Sequence, residues 1–266
     1  MQSKHLNVKE LIIEAYKLCR DNLKTFYTVS LLFILINGVN ISLFELYSES
    51  LVGEANWWIG VLIKVAVLFV SVWATLRLSV AAYFIFNDAH HGSITGIGQA
   101  FGRAKGYTVS LFMAHFGLFL ILAIPSGLMT WVYKADFTLS SRLFLFTVAL
   151  GVNLFLATKF GLAPINAVLD SNSEGAFERS AMMTKSVILP AMVIITLADI
   201  MTPISFVINE YSRLVDLTST MQYGLSGLRT LLSFLIIPFQ TALLVKLYNQ
   251  LKTEDPVAKD LIEVDL

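Results

Sequence analysis

Six apolar stretches, at about residues 26–47, 57–87, 107–133, 143–169, 187–209 and 225–248, run the length of the chain. Each exceeds the roughly 20 residues that a helix needs to cross a bilayer. In hydrocarbon every backbone N–H and C=O must be bonded within the protein, and a helix does this inside its own segment. Composition points the same way: of 266 residues, 56% are apolar and 14% charged, against about 25% charged in a soluble domain. The sequence therefore predicts an all-α integral membrane protein, a single polytopic domain over residues 1–266 with six transmembrane helices. Residues 1–24 are charged throughout and the first span is too long for a signal core, so that span is expected to remain as an anchor.

Lysine and arginine placement sets the expected orientation. With six spans both termini share one side, which receives twelve basic residues, among them Lys17, Arg20, Lys105 and Lys252. The opposite side receives four: Lys134, Arg142, Arg213 and Arg229. Both termini are expected to be cytoplasmic. Tyr47, Trp57, Trp58, Trp131 and Tyr133 then mark an aromatic belt at the outer boundary.

Three segments ahead of the outward-going spans look alike, at residues 8–24, 94–106 and 174–186. Each holds an alanine followed by an aromatic: Ala15–Tyr16, Ala100–Phe101 and Ala176–Phe177. Basic residues follow within the next turns, and in the first segment Leu11, Ile12, Ala15, Leu18 and Cys19 fall at helical spacing. These read as three interfacial amphipathic elbow helices, with Arg103, Lys105, Arg179 and Lys185 directed to anionic lipid headgroups. Arg179 has Asp170 as its other candidate partner. The return spans support a pseudo-threefold helix-hairpin repeat: Arg77 stands 11 residues before Asp88, and Lys159 11 before Asp170. The third return span does not copy this spacing. Gly98, Gly102 and Gly106 form a smooth face expected to receive another helix.

The stretch Gly161-Leu162-Ala163-Pro164 through Asp170, followed by Ala176-Phe177-Glu178-Arg179-Ser180 and Thr184-Lys185, resembles the YciC-like family. That family comprises uncharacterised six-helix inner-membrane proteins related to the membrane domain of some glycerophosphodiester phosphodiesterases. Met183 stands where the family pattern has leucine. The resemblance implies a multi-pass protein of the bacterial cytoplasmic (inner) membrane and brings no catalytic residue with it.

Asn37, Arg77, His115, Lys159, Asp199 and Gln240 place one polar residue in each span. At 1.5 Å per residue they stand about 13–18 Å from the cytoplasmic ends, near mid-depth. Two readings compete. Such residues act as glue between helices, or they form a wet, basic layer that holds an anionic solute or a lipid phosphate. An ion pair between Asp199 and Lys159 would leave Arg77 as surplus positive charge. The leading expectation is a transport or permeability component built on that layer. The alternative is a non-transporting scaffold that organises lipid.

No set of acid, base and nucleophile converges around His115, Asp199, Ser180 or Thr184, so enzymatic activity is not expected. Asp88, His90 and His91 read as a solvated helix end, and neither a metal nor another cofactor is expected. Expected partners are the bilayer and its anionic phospholipids, with a membrane-protein partner or a second copy of the chain compatible with the spans. A net charge of zero and the lack of a basic tail give no sign of nucleic acid.

Overall fold

The computed structural model describes residues 6–50, 57–134, 138–170, 175–199 and 219–253, with side chains 37–50 and a few near other helix ends excluded. Every element among them is helical. The order is α1 (Val8–Asp21), α2 (Leu23–Ser50), α3 (Trp57–His90), α4 (Ile97–Arg103), a 3-10 turn (Ala104–Gly106) and α5 (Thr108–Lys134). There follow α6 (Leu139–Phe160), α7 (Ala163–Leu169), α8 (Ala176–Thr184), α9 (Ile188–Ala198) and α10 (Ser219–Thr253).

Four described helical segments are long and apolar enough to cross a membrane: Val61–His90, Thr108–Trp131, Thr147–Leu169 and Thr230–Thr253. A fifth is reached if α8 and α9, bent by 118° at their junction, count as one span. α2 begins as an apolar helix over Leu23–Ile36. The rest of the six-span expectation, including residues 200–209, falls outside the described residues.

Burial divides the long helices into two unlike halves. In α3, Leu78, Val80, Ala81, Ala82, Phe84, Ile85 and Phe86 are buried, whereas Val61, Leu62, Val65, Leu68, Phe69 and Val70 are exposed. In α10, Leu243, Val245, Leu247, Tyr248 and Leu251 are buried, whereas Met221, Leu228, Leu231 and Leu235 are exposed. One end of the bundle is thus packed as a protein core, and α1, α4, α7 and α8 lie against it. The other halves present continuous apolar surface, which water penalises and lipid does not. Length, apolarity and exposed surface together fit an integral membrane protein.

α1 shows how the packed end is built. Asn7 caps it by accepting from the Glu10 N–H at 3.2 Å, which satisfies one of the orphan donors of the first turn. Leu11, Ala15, Leu18 and Cys19 face inward while Tyr16 is exposed. That is the face read from the helical spacing. Ala15, Ala100 and Ala176 are all buried, so the alanine common to the three short helices marks a close contact in each. The glycine face of α4 behaves otherwise: a Cβ on Gly98, Gly102 or Gly106 would meet nothing within 4 Å. The expected partner for that face is absent among the described residues, because α4 packs through Ala100 and Phe101 on its other side.

The stretch read as one span over 143–169 runs on as one apolar segment over Thr147–Leu169, with a two-residue interruption of helical bonding between α6 and α7. Pro164 enters α7 in its first turn, and a proline there has no N–H to give and its ring crowds the carbonyl four residues back. Helical hydrogen bonding is therefore interrupted at Gly161–Leu162, although both residues keep right-handed helical angles. Pro125 and Pro238, by contrast, sit inside continuous helices. Gly92 closes α3 with a left-handed φ of 77°, a conformation that side chains with a Cβ resist, while Ser93 N bonds back to Asp88 O at 2.9 Å.

Candidate functional site

The sequence directs attention to mid-depth, and the structure gives its polar residues local partners there. Arg77 Nε donates to Phe101 O at 3.2 Å, and its guanidinium sits 4.4 Å from the Phe101 ring centroid. A cation over an aromatic face, with its N–H bonded, is stabilised without a counter-charge. His115 lies on the exposed surface of α5, with Nδ1 3.0 Å from Leu111 O one turn back. Lys159 Nζ lies 5.3 Å from the Phe160 ring centroid, and it makes no ion pair among the described residues. Asp199 follows α9 as its C-cap, with its N–H bonded to Ile195 O and Leu197 O. Gln240 is half-buried on α10. Asn37 lies on α2 with its side chain outside the described residues. Among the described residues, no hydrogen bond or ion pair found joins any two of Arg77, His115, Lys159, Asp199 and Gln240.

Polar chemistry concentrates instead at the packed end, around the last turns of α10. Asp170, at the end of α7, is the centre of one cluster. Its carboxylate accepts from Lys252 Nζ at 2.7 Å and from the Tyr248 hydroxyl, and it faces Arg179 Nε at 3.5 Å. Lys252 also donates to Tyr248 Oη at 3.1 Å. The Asp170 side chain is only 16% exposed, against 37% for Lys252. Arg179 and Lys252 flank one carboxylate from two helices. Arg179 thus takes Asp170, the second of the two partners open to it from the sequence.

A second cluster ties α3 to α4. Asp88 accepts from Arg103 at 2.8 Å and from the Thr95 hydroxyl. The Arg103 guanidinium also covers the Phe84 ring at 4.2 Å. Of the four basic residues assigned to headgroups, Arg103 and Arg179 are therefore held by carboxylates. Lys105 and Lys185 are exposed and make no ion pair among the described residues.

A third cluster joins α1, α3 and α10. Lys246 Nζ stands 3.3 Å from Glu14, and the Asn249 amide donates to Asn87 Oδ1 at 3.0 Å and to Val245 O at 3.0 Å. Beside them opens a cleft of about 290 Å³ whose walls include Glu10, Glu14, His90, Lys246 and Gln250.

Ser180 was the residue that sequence reasoning placed least well. Its hydroxyl inserts into the α6–α7 break, accepting from Leu162 N at 3.2 Å and donating to Lys159 O at 2.9 Å. One side chain thus replaces two helix bonds lost at the break. Nearby, the Asn166 amide donates to Ala176 O at 3.2 Å, and Phe177 packs so closely on Gly117 that a Cβ there would lie 2.7 Å from its ring. Pro164 was the only local signal for this joint. Among the described residues no group of three or more His, Cys, Asp or Glu side chains could hold a metal ion. Comparison with protein-family models, with curated proteins and with solved structures finds no match to this chain.

Proposed function

We propose that this chain is a multi-pass inner-membrane protein that organises anionic phospholipid at the cytoplasmic face, without moving a solute across the bilayer. The observation that carries this reading is the division of labour among its charges. Arg77 bonds across to Phe101 on α4, as glue between helices does, whereas the contacts of His115 and Lys159, to Leu111 and Phe160, lie within their own helices. At the packed end, Lys105 and Lys185 stand exposed, and the Lys252 side chain is 37% exposed beside Asp170. A basic residue near an anionic leaflet contributes about 1 kcal/mol of attraction. The excess of Lys and Arg on the side of both termini supports a cytoplasmic position for this end. Inner-membrane placement and the YciC-like assignment rest on the pattern of residues 161–186 and are part of the proposal. Transport through a shared basic layer has less behind it, because Arg77, His115 and Lys159 take separate local contacts.

Native mass spectrometry of protein released from mixed nanodiscs tests the reading. Wild type is expected to retain phosphatidylglycerol over phosphatidylcholine, and the double variant Lys105→Gln/Lys185→Gln to lose several-fold of that preference. Equal retention by both proteins would remove the basis for the proposal.

A further inference from the structure

The cleft between α1, α3 and α10 contains polar groups that the protein itself leaves underserved. Lys246 is nearly buried, its side chain 14% exposed, yet its one carboxylate partner stands at 3.3 Å. His90 Nδ1 is buried and has no hydrogen-bond partner among the described residues. The Asn249 amide is already spent on Asn87 and Val245. Buried polar atoms of native proteins are nearly always bonded, and one exception, His90 Nδ1, beside a cavity that also holds Lys246 asks what completes it. Pockets for small ligands begin at about 300 Å³, close to the about 290 Å³ found here.

Charge decides the class of occupant. Glu10 and Glu14 supply two carboxylates and Lys246 one ammonium to the same walls. A simple anion meets two carboxylates, and a simple cation meets Lys246 while leaving its N–H groups unserved. A zwitterion answers both needs. Its ammonium donates to Glu14 and Glu10, and its anionic oxygens accept from Lys246 and from the N–H tautomer of His90.

We infer that this cleft binds an ammonium–phosphate zwitterion of the phosphoethanolamine type, either as a lipid headgroup or as the free compound. The inference stands apart from the anionic-lipid reading, which Lys105 and Lys185 carry. The test uses the full chain in nanodiscs of equal phosphatidylethanolamine and phosphatidylcholine, because the trimethylated headgroup keeps its charge but has no N–H to donate. Native mass spectra of wild type are expected to show at least five-fold preferential retention of the ethanolamine lipid. Gln250→Trp, which fills the cleft and leaves the Glu14–Lys246 pair in place, is expected to abolish the preference, and Lys246→Gln to do the same. In a second arm, free phosphoethanolamine is expected to raise the melting temperature of detergent-purified wild type, with phosphate or ethanolamine alone giving no rise. A response only in this arm identifies a free solute as the occupant; lipid preference identifies the headgroup. Absence of both in wild type, or a preference that survives Gln250→Trp with unchanged melting, overturns the inference.

Discussion

Ser180 serves two buried backbone groups at once, Leu162 N–H and Lys159 C=O, so truncating it leaves both without a partner. An unsatisfied buried group costs about 1–3 kcal/mol, and Ser180→Ala is expected to destabilise the protein by at least that amount. Thermal melting in detergent measures it, with the exposed Ser186→Ala as a neutral control. Cys19 makes a different prediction. Burial in α1 pushes its thiol up to about 12, while the unfolded chain ionises near its ordinary value of about 8.5. Above that value the folded state holds the proton that the unfolded state has lost, so the cysteine's contribution to stability falls as pH rises towards 12. Below pH 8 it contributes no pH dependence. The stability difference between wild type and Cys19→Ala is expected to shift against wild type between pH 9 and 11, measured by chemical denaturation. The folded thiol is also expected to resist maleimide at pH 7.5, since the thiolate is the reactive form. The inward face of Cys19 was legible in the sequence because it rests on helical periodicity alone. The bonds of Ser180 were not, because its partners lie 18 and 21 residues away across a joint.

At the scale of elements, hydropathy locates the long helices well and their interruptions poorly. α3, α5 and α10 cover the expected spans within a few residues at most ends, since apolar length is what the bilayer selects. Residues 143–169 carry the same apolar signal, yet they form α6 and α7 with a joint between them. Hydropathy does not register the joint because its bonding is supplied by Ser180, from a segment that is not apolar. The halves of α3 make a related point. Its residues are apolar throughout, and only packing in the folded molecule separates its buried half from its exposed half. The short helices α1, α4 and α8 were legible as helical segments, and the buried Ala15, Ala100 and Ala176 mark them. Their common means of attachment was not.

That attachment is visible in the whole molecule. Asp88 holds Arg103, Asp170 faces Arg179 and Lys246 faces Glu14, so each short helix is joined by one ion pair to the end of a long segment. In the third contact the charges are exchanged, with the acid on the short helix, and a letter-by-letter comparison of the three units misses it. The same view explains why similar depth alone does not decide whether the six polar residues meet. Depth along a helix can be counted in a sequence, but rotation about its axis cannot, and rotation decides whether residues meet. Here Arg77 turns to Phe101, Lys159 lies by Phe160 and His115 faces outward. The most direct test of this account is thiol labelling in intact membranes. Single cysteines at positions 77, 115 and 159, in a Cys19→Ser background, would be probed with a water-soluble maleimide from each side, with position 105 as the accessible reference. The account predicts that 105 labels from the cytoplasmic side and that 77, 115 and 159 stay protected from both sides. Labelling at two or more of the three mid-depth positions would mean an aqueous cavity and would contradict it.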